Sequence, residues 1–472
     1  MAPAPARRKI PDELCAVVLA AGLGTRMRSD LIKVLHPLCG LPMVGHVLAL
    51  VRRLGVGRTL VVVGHQADRV REALAGPGIE FVLQAEQRGT GHAVLQAEAA
   101  LRGYTGDVLV LSGDVPLLQD GLVERLVAAH RTGRAEATVL STRLESPTGY
   151  GRILRDRRRG FSAIVEEAEA TAAQRRVTEV NAGIYCFRAS SLFAALARIA
   201  PSAVKGELYL TDVLAILRGR RARVAILEAE DPREVLGINT RAELAAATTI
   251  LRRRVAERLM AAGVTCLDPD SVHVSVLASV GRDTTLYPQV QIEGAATIGE
   301  GCTIHAGSRI RASRLGDRVT VLDGCVILES EIASDCTLGP YAHLRPESRL
   351  CGKVKVGNFV EVKKSLIGEG SKVPHLTYVG DAILGERVNV GAGTITCNYD
   401  GFAKHQTVIE DGAFIGSNSS LVAPLRVGRG AIVAAGSTVT EEVPPDAVVF
   451  GRARQVTKVG RAAEIRKLRS RA

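Results

Sequence analysis

The sequence contains no tryptophan, and aromatic residues make up 3% of its 472 positions. So few rings argue against the stacking platforms on which single-stranded nucleic acid is held. Also missing is any run of about 20 apolar residues, the length that crosses a bilayer as a helix, so no membrane insertion is expected. The short apolar segment Cys15–Ala21 is flanked by polar residues and interrupted at once by glycines. It reads as a buried strand of a cytoplasmic protein, not as the core of a secretion signal. The nine cysteines are scattered without a Cys-x-x-Cys pair. That excludes a disulfide frame or a zinc knuckle in favour of small core residues in a reducing compartment.

What is present is a chain long enough for two cores, with 46% hydrophobic and 23% charged residues and a net charge of +12. Much of that charge lies between Arg452 and Arg471, where eight Lys/Arg face the single Glu464. We read this run as a solvated basic tail, and the anions expected to matter as phosphorylated small molecules.

The chain changes its pattern midway. In the first half, apolar runs such as Ala16–Leu19, Thr59–Val63 and Val108–Leu111 alternate with helical stretches such as Pro42–Leu54 and Leu122–His130. This is the pattern of an α/β domain with a mostly parallel sheet, whose ligands bind at the carboxyl ends of strands. A long Ala/Leu/Arg helix is expected from Arg241. Beyond it aliphatic residues recur every sixth position, as at Ile292, Ile298, Ile304 and Ile310 and from Ile409 to Val439. Hexapeptide units of this kind specify a parallel β-helix with a coil of about 17 to 18 residues. Glycine often follows the aliphatic residue, as at Gly299, Gly316, Gly391 and Gly416, and is expected to relieve restricted backbone dihedrals at the turns. The expected organisation is an extension at 1–14, an α/β domain at 15–240, a linker helix at 241–263, the β-helix at 264–455 and the basic tail at 456–472. One polar break, Thr394–Thr407, carrying Asn398, Tyr399, Asp400 and Lys404, reads as a binding loop.

The loop Leu19-Ala20-Ala21-Gly22-Leu23-Gly24-Thr25-Arg26-Met27 directly follows the first strand and offers backbone donors and a guanidinium to phosphates. It has neither the spacing of a dinucleotide fingerprint nor the Gly-Lys-Ser/Thr of a Walker loop. Together with Lys33 it resembles the sugar-nucleotide pyrophosphorylase family. The resemblance continues through Leu83–Ala93, Leu111–Leu117, Gly149–Ile153, Ile164–Glu167, Val180–Ile184 and Val235–Asn239. It implies that Leu19, Ala20, Gly22, Gln84, Gly89 and Thr90 hold the uridine nucleotide. Gln84 would read the imide edge of uracil, matching a donor and an acceptor. The resemblance makes Asp114 and Asn239 the Mg²⁺ ligands, Arg26 and Lys33 the cations that neutralise phosphate, and Gly151, Glu166 and Asn181 the contacts to N-acetylglucosamine-1-phosphate. Three positions depart from the family: Ile32 for proline, Ala182 for threonine, and Ser112 for the tyrosine of some members.

In the second half, Asn358-Phe-Val-Glu-Val-Lys363, Val373-Pro-His375-Leu-Thr-Tyr378 and Asn389–Gly401 resemble the hexapeptide-repeat glucosamine-1-phosphate acetyltransferases. That likeness implies a left-handed β-helix assembled as a homotrimer, with acetyl-CoA as donor. By it His375 takes the proton of the attacking amine, and Arg345 and Lys363 bind the acceptor's phosphate. Tyr378, Asn389, Asn398 and Tyr399 hold the acceptor, and Ala392, Ser417, Ala435 and Arg452 meet the coenzyme. The two likenesses in one chain are those of a bacterial bifunctional family that converts glucosamine-1-phosphate, acetyl-CoA and UTP to UDP-N-acetylglucosamine for cell-wall synthesis. The alternative is a single-activity sugar-1-phosphate nucleotidyltransferase with a purely structural β-helix.

Overall fold

The computed structural model describes residues 13–156 and 160–470. Apart from residues 13 and 14, the expected N-terminal extension lies outside the described residues, as do the last two positions of the expected tail. Two compact units are present, Met1–Leu251 and Arg252–Ala472. Among the described residues no helix is long and apolar enough to cross a membrane.

In the first unit, strands β1 (Leu14–Ala20), β2 (Arg58–Val63), β3 (Ile79–Leu83), β4 (Asp107–Ser112), β5 (Ala137–Arg143), β6 (Arg152–Arg155), β7 (Phe161–Val165), β8 (Glu179–Arg188) and β9 (Val224–Glu228) form one sheet. Its main path runs β9-β5-β8-β4-β1-β2-β3, with β6 and β7 as an antiparallel side ribbon reached through β8. On that path only β8 runs against its neighbours. The near-continuous apolar runs follow from burial on both faces: Ala16 and Val18 pack with one hydrophobic cluster, Cys15 and Val17 with another. Because β2 lies on one side of β1 and β4 on the other, strand order reverses between β1 and β4. That crevice, at the strands' carboxyl ends, is the place a sheet of this kind offers a ligand.

In the second unit, three parallel faces of 11, 10 and 9 short strands wind into a left-handed β-helix. Strands of the first face begin at residues 285, 303, 320, 337, 355 and 372, spacings of 17 or 18. The aliphatic positions of the six-residue repeat, including Ile292, Ile310, Ile327, Leu344, Val362, Leu421 and Val439, form one buried stack. Each such side chain contributes about 1.5–3 kcal/mol on burial. Between Asn389 and its neighbour Phe414 the spacing opens, because the polar break leaves the coil here.

One expectation is corrected. The glycines that follow the aliphatic residue, such as Gly299, Gly391 and Gly416, do not have positive φ. The left-handed residues stand two positions further on, at Gly301, Gly393 and Asn418, and many are not glycine. The first set is glycine because a Cβ would collide with the next coil: at Gly391 it would lie 2.5 Å from Ser417 N, and at Gly416 2.4 Å from Ala435 N. Close approach, not dihedral freedom, selects them.

The helix Arg241–Ala261 starts with a reciprocal cap. Thr240 Oγ1 accepts from Glu243 N at 3.2 Å, and Glu243 Oε2 accepts from Thr240 N at 2.9 Å. The basic helix Arg461–Arg469 buries none of its residues.

Candidate active sites

Three of the expected phosphate and metal residues of the first unit meet at one point. Lys33 Nζ donates to Asp114 Oδ2 at 2.5 Å and to Asn239 Oδ1 at 3.0 Å. Asp114 stands just past β4, and Ile238 N donates to its backbone carbonyl at 3.0 Å, tying the two loops together. Asn239 is oriented by its own amide nitrogen, which donates to Gly237 O at 3.3 Å, and by Glu243, which accepts from Asn239 N at 2.6 Å. The helix cap therefore also fixes a site residue. Gly24 has φ +64, and a Cβ there would lie 2.5 Å from Lys33 Cβ. Only glycine lets the loop after β1 fold onto the lysine stem in this left-handed conformation. Arg26 is exposed on that loop, and Gly22 has open space around it. Leu19 O is engaged by Gly113 N at 2.9 Å, and Ala20 is buried at the end of β1.

Gln84 is buried, its amide nitrogen 3.1 Å from both Gly89 O and His92 Nδ1. Gly89 and Gly91 press on the backbone around Leu208, and Thr90 Oγ1 accepts from Leu210 N at 3.1 Å. In the sugar region Asn181 N donates to Gly151 O at 2.8 Å, while its side chain donates to Tyr185 Oη and accepts from Gly183 N. Glu166 accepts from Thr211 Oγ1 at 3.0 Å, and burial raises its pKa. Arg152, not among the expected site residues, is one of the largest fully buried side chains among the described residues. It binds the Tyr150 carbonyl and pairs with Glu167 at 2.6 Å, clamping the Gly151 strand to the loop that carries Glu166. Its place at the head of the short strand Arg152–Arg155 gives no sign of burial in the sequence, and only the pairing with Glu167 accounts for it. Of the three departures, Ile32 has φ −55, within proline's range, and is fully buried. Ala182 packs in the core, and Ser112 Oγ donates to Gly183 O at 3.3 Å.

In the second unit the periodicity stacks residues distant in sequence along one corner. Leu376 N donates to Asn358 O, Gly393 N to His375 O, Asn418 N to Ala392 O and Gly436 N to Ser417 O. These rungs align Asn358, His375, Ala392, Ser417 and Ala435 in a single axial column, about 4.8 Å per coil. Gly391 and Gly416 keep its floor flat. Arg452 lies at its lower end, its Cδ 3.7 Å from the Cβ position of Gly436. His375 is exposed, with Nδ1 2.5 Å from Asn358 Oδ1. An amide oxygen accepts, so Nδ1 carries the hydrogen and Nε2 keeps its lone pair outward.

Around the corner, Lys363 pairs in register with Gly380, and Glu361 with Tyr378. Arg345 Nη1 donates to Glu361 at 2.8 Å. Asn398 is buried, donating to Asp381 Oδ2 at 2.5 Å and to Tyr378 Oη at 3.5 Å. Asn389 is half-buried on the first face between Lys372 and Phe414. The polar break is a small hairpin closed by a Tyr399–Lys404 bridge. Asp400 organises it, accepting from Phe402 N and Ala403 N at 2.8 and 2.7 Å and pairing with His405 at 2.7 Å. Those donors hold its carboxyl well below the usual carboxylate range. The hairpin turns Lys404 back onto Lys363, whose proximity lowers the Lys404 pKa. Lys404 lies in the expected binding loop, and its place beside Lys363 comes only from the folded hairpin. Two ammonium groups brought together form a receptor for an anion.

The folds and sites define a two-part transferase: a nucleotidyltransferase sheet followed by a hexapeptide-repeat acyltransferase. Residues 16–203 match the MobA-like NTP transferase domain, 278–312 the bacterial transferase hexapeptide (six repeats), and 406–441 the hexapeptide repeat of succinyl-transferase. The chain is 52% identical over 443 residues to the bifunctional protein GlmU of Heliobacterium modesticaldum, covering 94% of this chain and 96% of that one. With the GlmU of Geobacter metallireducens it shares 50% identity, and with that of Listeria monocytogenes serotype 4a 48%, each covering 95% of this chain and 98% of the relative. It belongs to the GlmU family.

Proposed function

We propose the following roles for the residues of the two sites in a bifunctional synthesis of UDP-N-acetylglucosamine. The chain transfers acetyl from acetyl-CoA to the amine of glucosamine-1-phosphate, then transfers uridylate from UTP to N-acetylglucosamine-1-phosphate, releasing pyrophosphate.

In acetyl transfer, the acceptor amine attacks the thioester carbonyl, a C–N bond forms, the C–S bond breaks, and the amine proton passes to His375 Nε2. Asn358 holds the ring in the tautomer this requires. Lys363, Lys404 and Arg345 bind the acceptor phosphate, with Tyr378, Asn389, Asn398 and Tyr399 around the sugar. The coenzyme lies along the column past Ala392, Ser417 and Ala435, its phosphates toward Arg452.

In uridylyl transfer, an oxygen of the sugar phosphate attacks the α-phosphorus of UTP in line with the departing pyrophosphate. That oxygen is already ionised, so no side-chain nucleophile is needed. Gln84 meets uracil through its amide oxygen, since its nitrogen is engaged by Gly89 and His92. The site's oxygen donors suit Mg²⁺: Asp114 and Asn239 supply two, and phosphates and water complete such a shell. Bound there, the ion would neutralise charge on the α-phosphate and the leaving group. Arg26 and Lys33 hold the triphosphate, and Gly151, Glu166 and Asn181 the acetylated sugar.

The observation that carries this reading is the convergence of Lys33, Asp114 and Asn239 from three separate segments onto one point. We place the chain in the cytoplasm, where UTP and acetyl-CoA occur, and as a homotrimer. Supporting assembly are Phe414, Ile432 and Val448, an exposed apolar ladder in register on one face, and the exposed stacked rings of Tyr341 and Phe359. The test is the product mass after incubation with glucosamine-1-phosphate, UTP, Mg²⁺ and acetyl-CoA. UDP-N-acetylglucosamine should form only in the complete mixture. If it forms solely when N-acetylglucosamine-1-phosphate is supplied, the β-helix is structural and the role of His375 is wrong.

A further inference from the structure

We infer that Lys33 is a tethered cation that occupies the metal position until nucleotide arrives, so that the divalent ion enters with the triphosphate and not before it. The inference rests on the reading of Asp114 and Asn239 as metal ligands. The Lys33 ammonium already bridges both oxygens, at 2.5 and 3.0 Å. Its side chain is 14% exposed, so little water screens the contact. Asn239 is turned by its bond to Gly237 so that its oxygen faces the lysine. An incoming ion must therefore displace the ammonium to reach Asp114 Oδ2 and Asn239 Oδ1 together, and only Asp114 Oδ1 lies outside the lysine's hydrogen bonds. Two protein donors are also few for Mg²⁺, which holds its water tightly and binds through one or two carboxylates plus substrate phosphates.

The base of the lysine is fixed while its end can move. Gly24 in its left-handed conformation packs against Cβ, where the gap leaves no room for a side chain. Beyond Cβ the flexible stem can redirect the ammonium to a triphosphate arriving on the loop after β1. That movement frees Asp114 and Asn239 when the phosphates that complete the ion's shell are present. No net charge is left unpaired: the carboxylate exchanges an ammonium for a metal ion, and the ammonium exchanges a carboxylate for a phosphate. Metal alone must compete with Lys33, so its apparent affinity is the intrinsic one multiplied by the small fraction of protein in the open state.

The test titrates the full-length protein with Mn²⁺ alone, following free Mn²⁺ by electron paramagnetic resonance, and repeats the titration with UTP. Wild-type protein should show no Asp114-dependent Mn²⁺ site up to about 1 mM metal in the absence of UTP, within the weak range expected of two oxygen donors. Lys33→Met should gain one such site at least tenfold tighter, and Lys33→Met/Asp114→Asn should lose it. Arg26→Met removes a neighbouring charge without uncovering either oxygen and should gain nothing. Lys33→Arg, which keeps a cation able to reach the carboxylate, should remain closed to free metal and covers the case in which the methionine variant folds poorly. Equal gains in Lys33→Met and Arg26→Met would overturn the inference, because general charge would then explain the effect. So would a Lys33→Met protein that binds free Mn²⁺ no better than wild type while binding with UTP still depends on Asp114. If binding with UTP is indifferent to Asp114→Asn, the metal-ligand reading itself fails, a result separable from the other two.

Discussion

Replacing Gly416 by alanine tests the claim that close approach selects the hexapeptide glycines. The added Cβ would meet Ala435 N at 2.4 Å, Val433 O at 2.7 Å and Ala435 Cα at 2.7 Å, all backbone atoms that cannot rotate away. Ordinary contact begins at 3.4 Å, so the two coils must separate by about 1 Å. The rungs on either side, Gly416 N to Val433 O at 2.8 Å and Gly436 N to Ser417 O at 2.7 Å, would then exceed hydrogen-bonding distance. Two weakened hydrogen bonds at ~0.5–1.5 kcal/mol each, with ~1–3 kcal/mol of overpacking, give a loss of ~2–6 kcal/mol. For a unit of this size each kcal/mol lowers the midpoint by about 2–4 °C. The second unit should therefore unfold roughly 4–24 °C earlier by scanning calorimetry. Because the strain lies between Ser417 and Ala435, the KM for acetyl-CoA should rise in a thiol-release assay, while uridylyl transfer by the first unit is unchanged. Gly412 supplies the contrast: it has φ +68 and nothing within 4 Å, so alanine there should cost only ~1–2 kcal/mol of backbone strain. A Gly416→Ala protein with a wild-type midpoint and acetyl-CoA KM would refute the reasoning.

Other outcomes can be checked on the same preparations. Lys404→Gln should raise the KM for glucosamine-1-phosphate about tenfold, as loss of one charge-assisted contact worth ~1.5 kcal/mol requires, with little change for acetyl-CoA. Asn358→Ala should lower kcat for acetyl transfer by roughly 10- to 100-fold, the effect of removing a ring-orienting partner, and an unchanged kcat in that variant would speak against a positioning role. Glu243→Ala removes half of a helix cap and a support of Asn239; stability should fall by ~1 kcal/mol, and the KM for Mg²⁺ in uridylyl transfer should rise. The hydrogen bond from Arg131 Nε at 2.8 Å and the nearby His130 ring, 3.4 Å from Oδ1, outweigh burial and hold the Asp107 carboxyl below its ordinary 3.8. Its stabilising contribution is therefore complete above that value and is lost as pH falls toward the folded-state pKa. The wild-type midpoint of the first unit should drop across that acidic window, and Asp107→Asn should flatten the dependence.

The sequence by itself determined both architectures. Continuous apolar runs such as Val108–Leu111 require a sheet covered on both faces, and a six-residue aliphatic period has no stable solution except a stacked solenoid. It also supplied the candidate residues, because their order along the chain matches the family's motifs. Tertiary structure decided what depends on distances between segments. Lys33, Asp114 and Asn239 lie far apart in sequence, and only the crossing of two loops beside β1 puts an ammonium between two oxygens. The same holds for Arg152, whose partner Glu167 comes from the next strand's loop, and for Lys404, which a hairpin folds back onto Lys363. Local pattern records which face a residue takes; which atoms share a pocket depends on how loops close, and loop closure has no period to read. The hexapeptide glycines illustrate the division: their positions are plain in the sequence, but the cause is the backbone of a coil some 17 residues later.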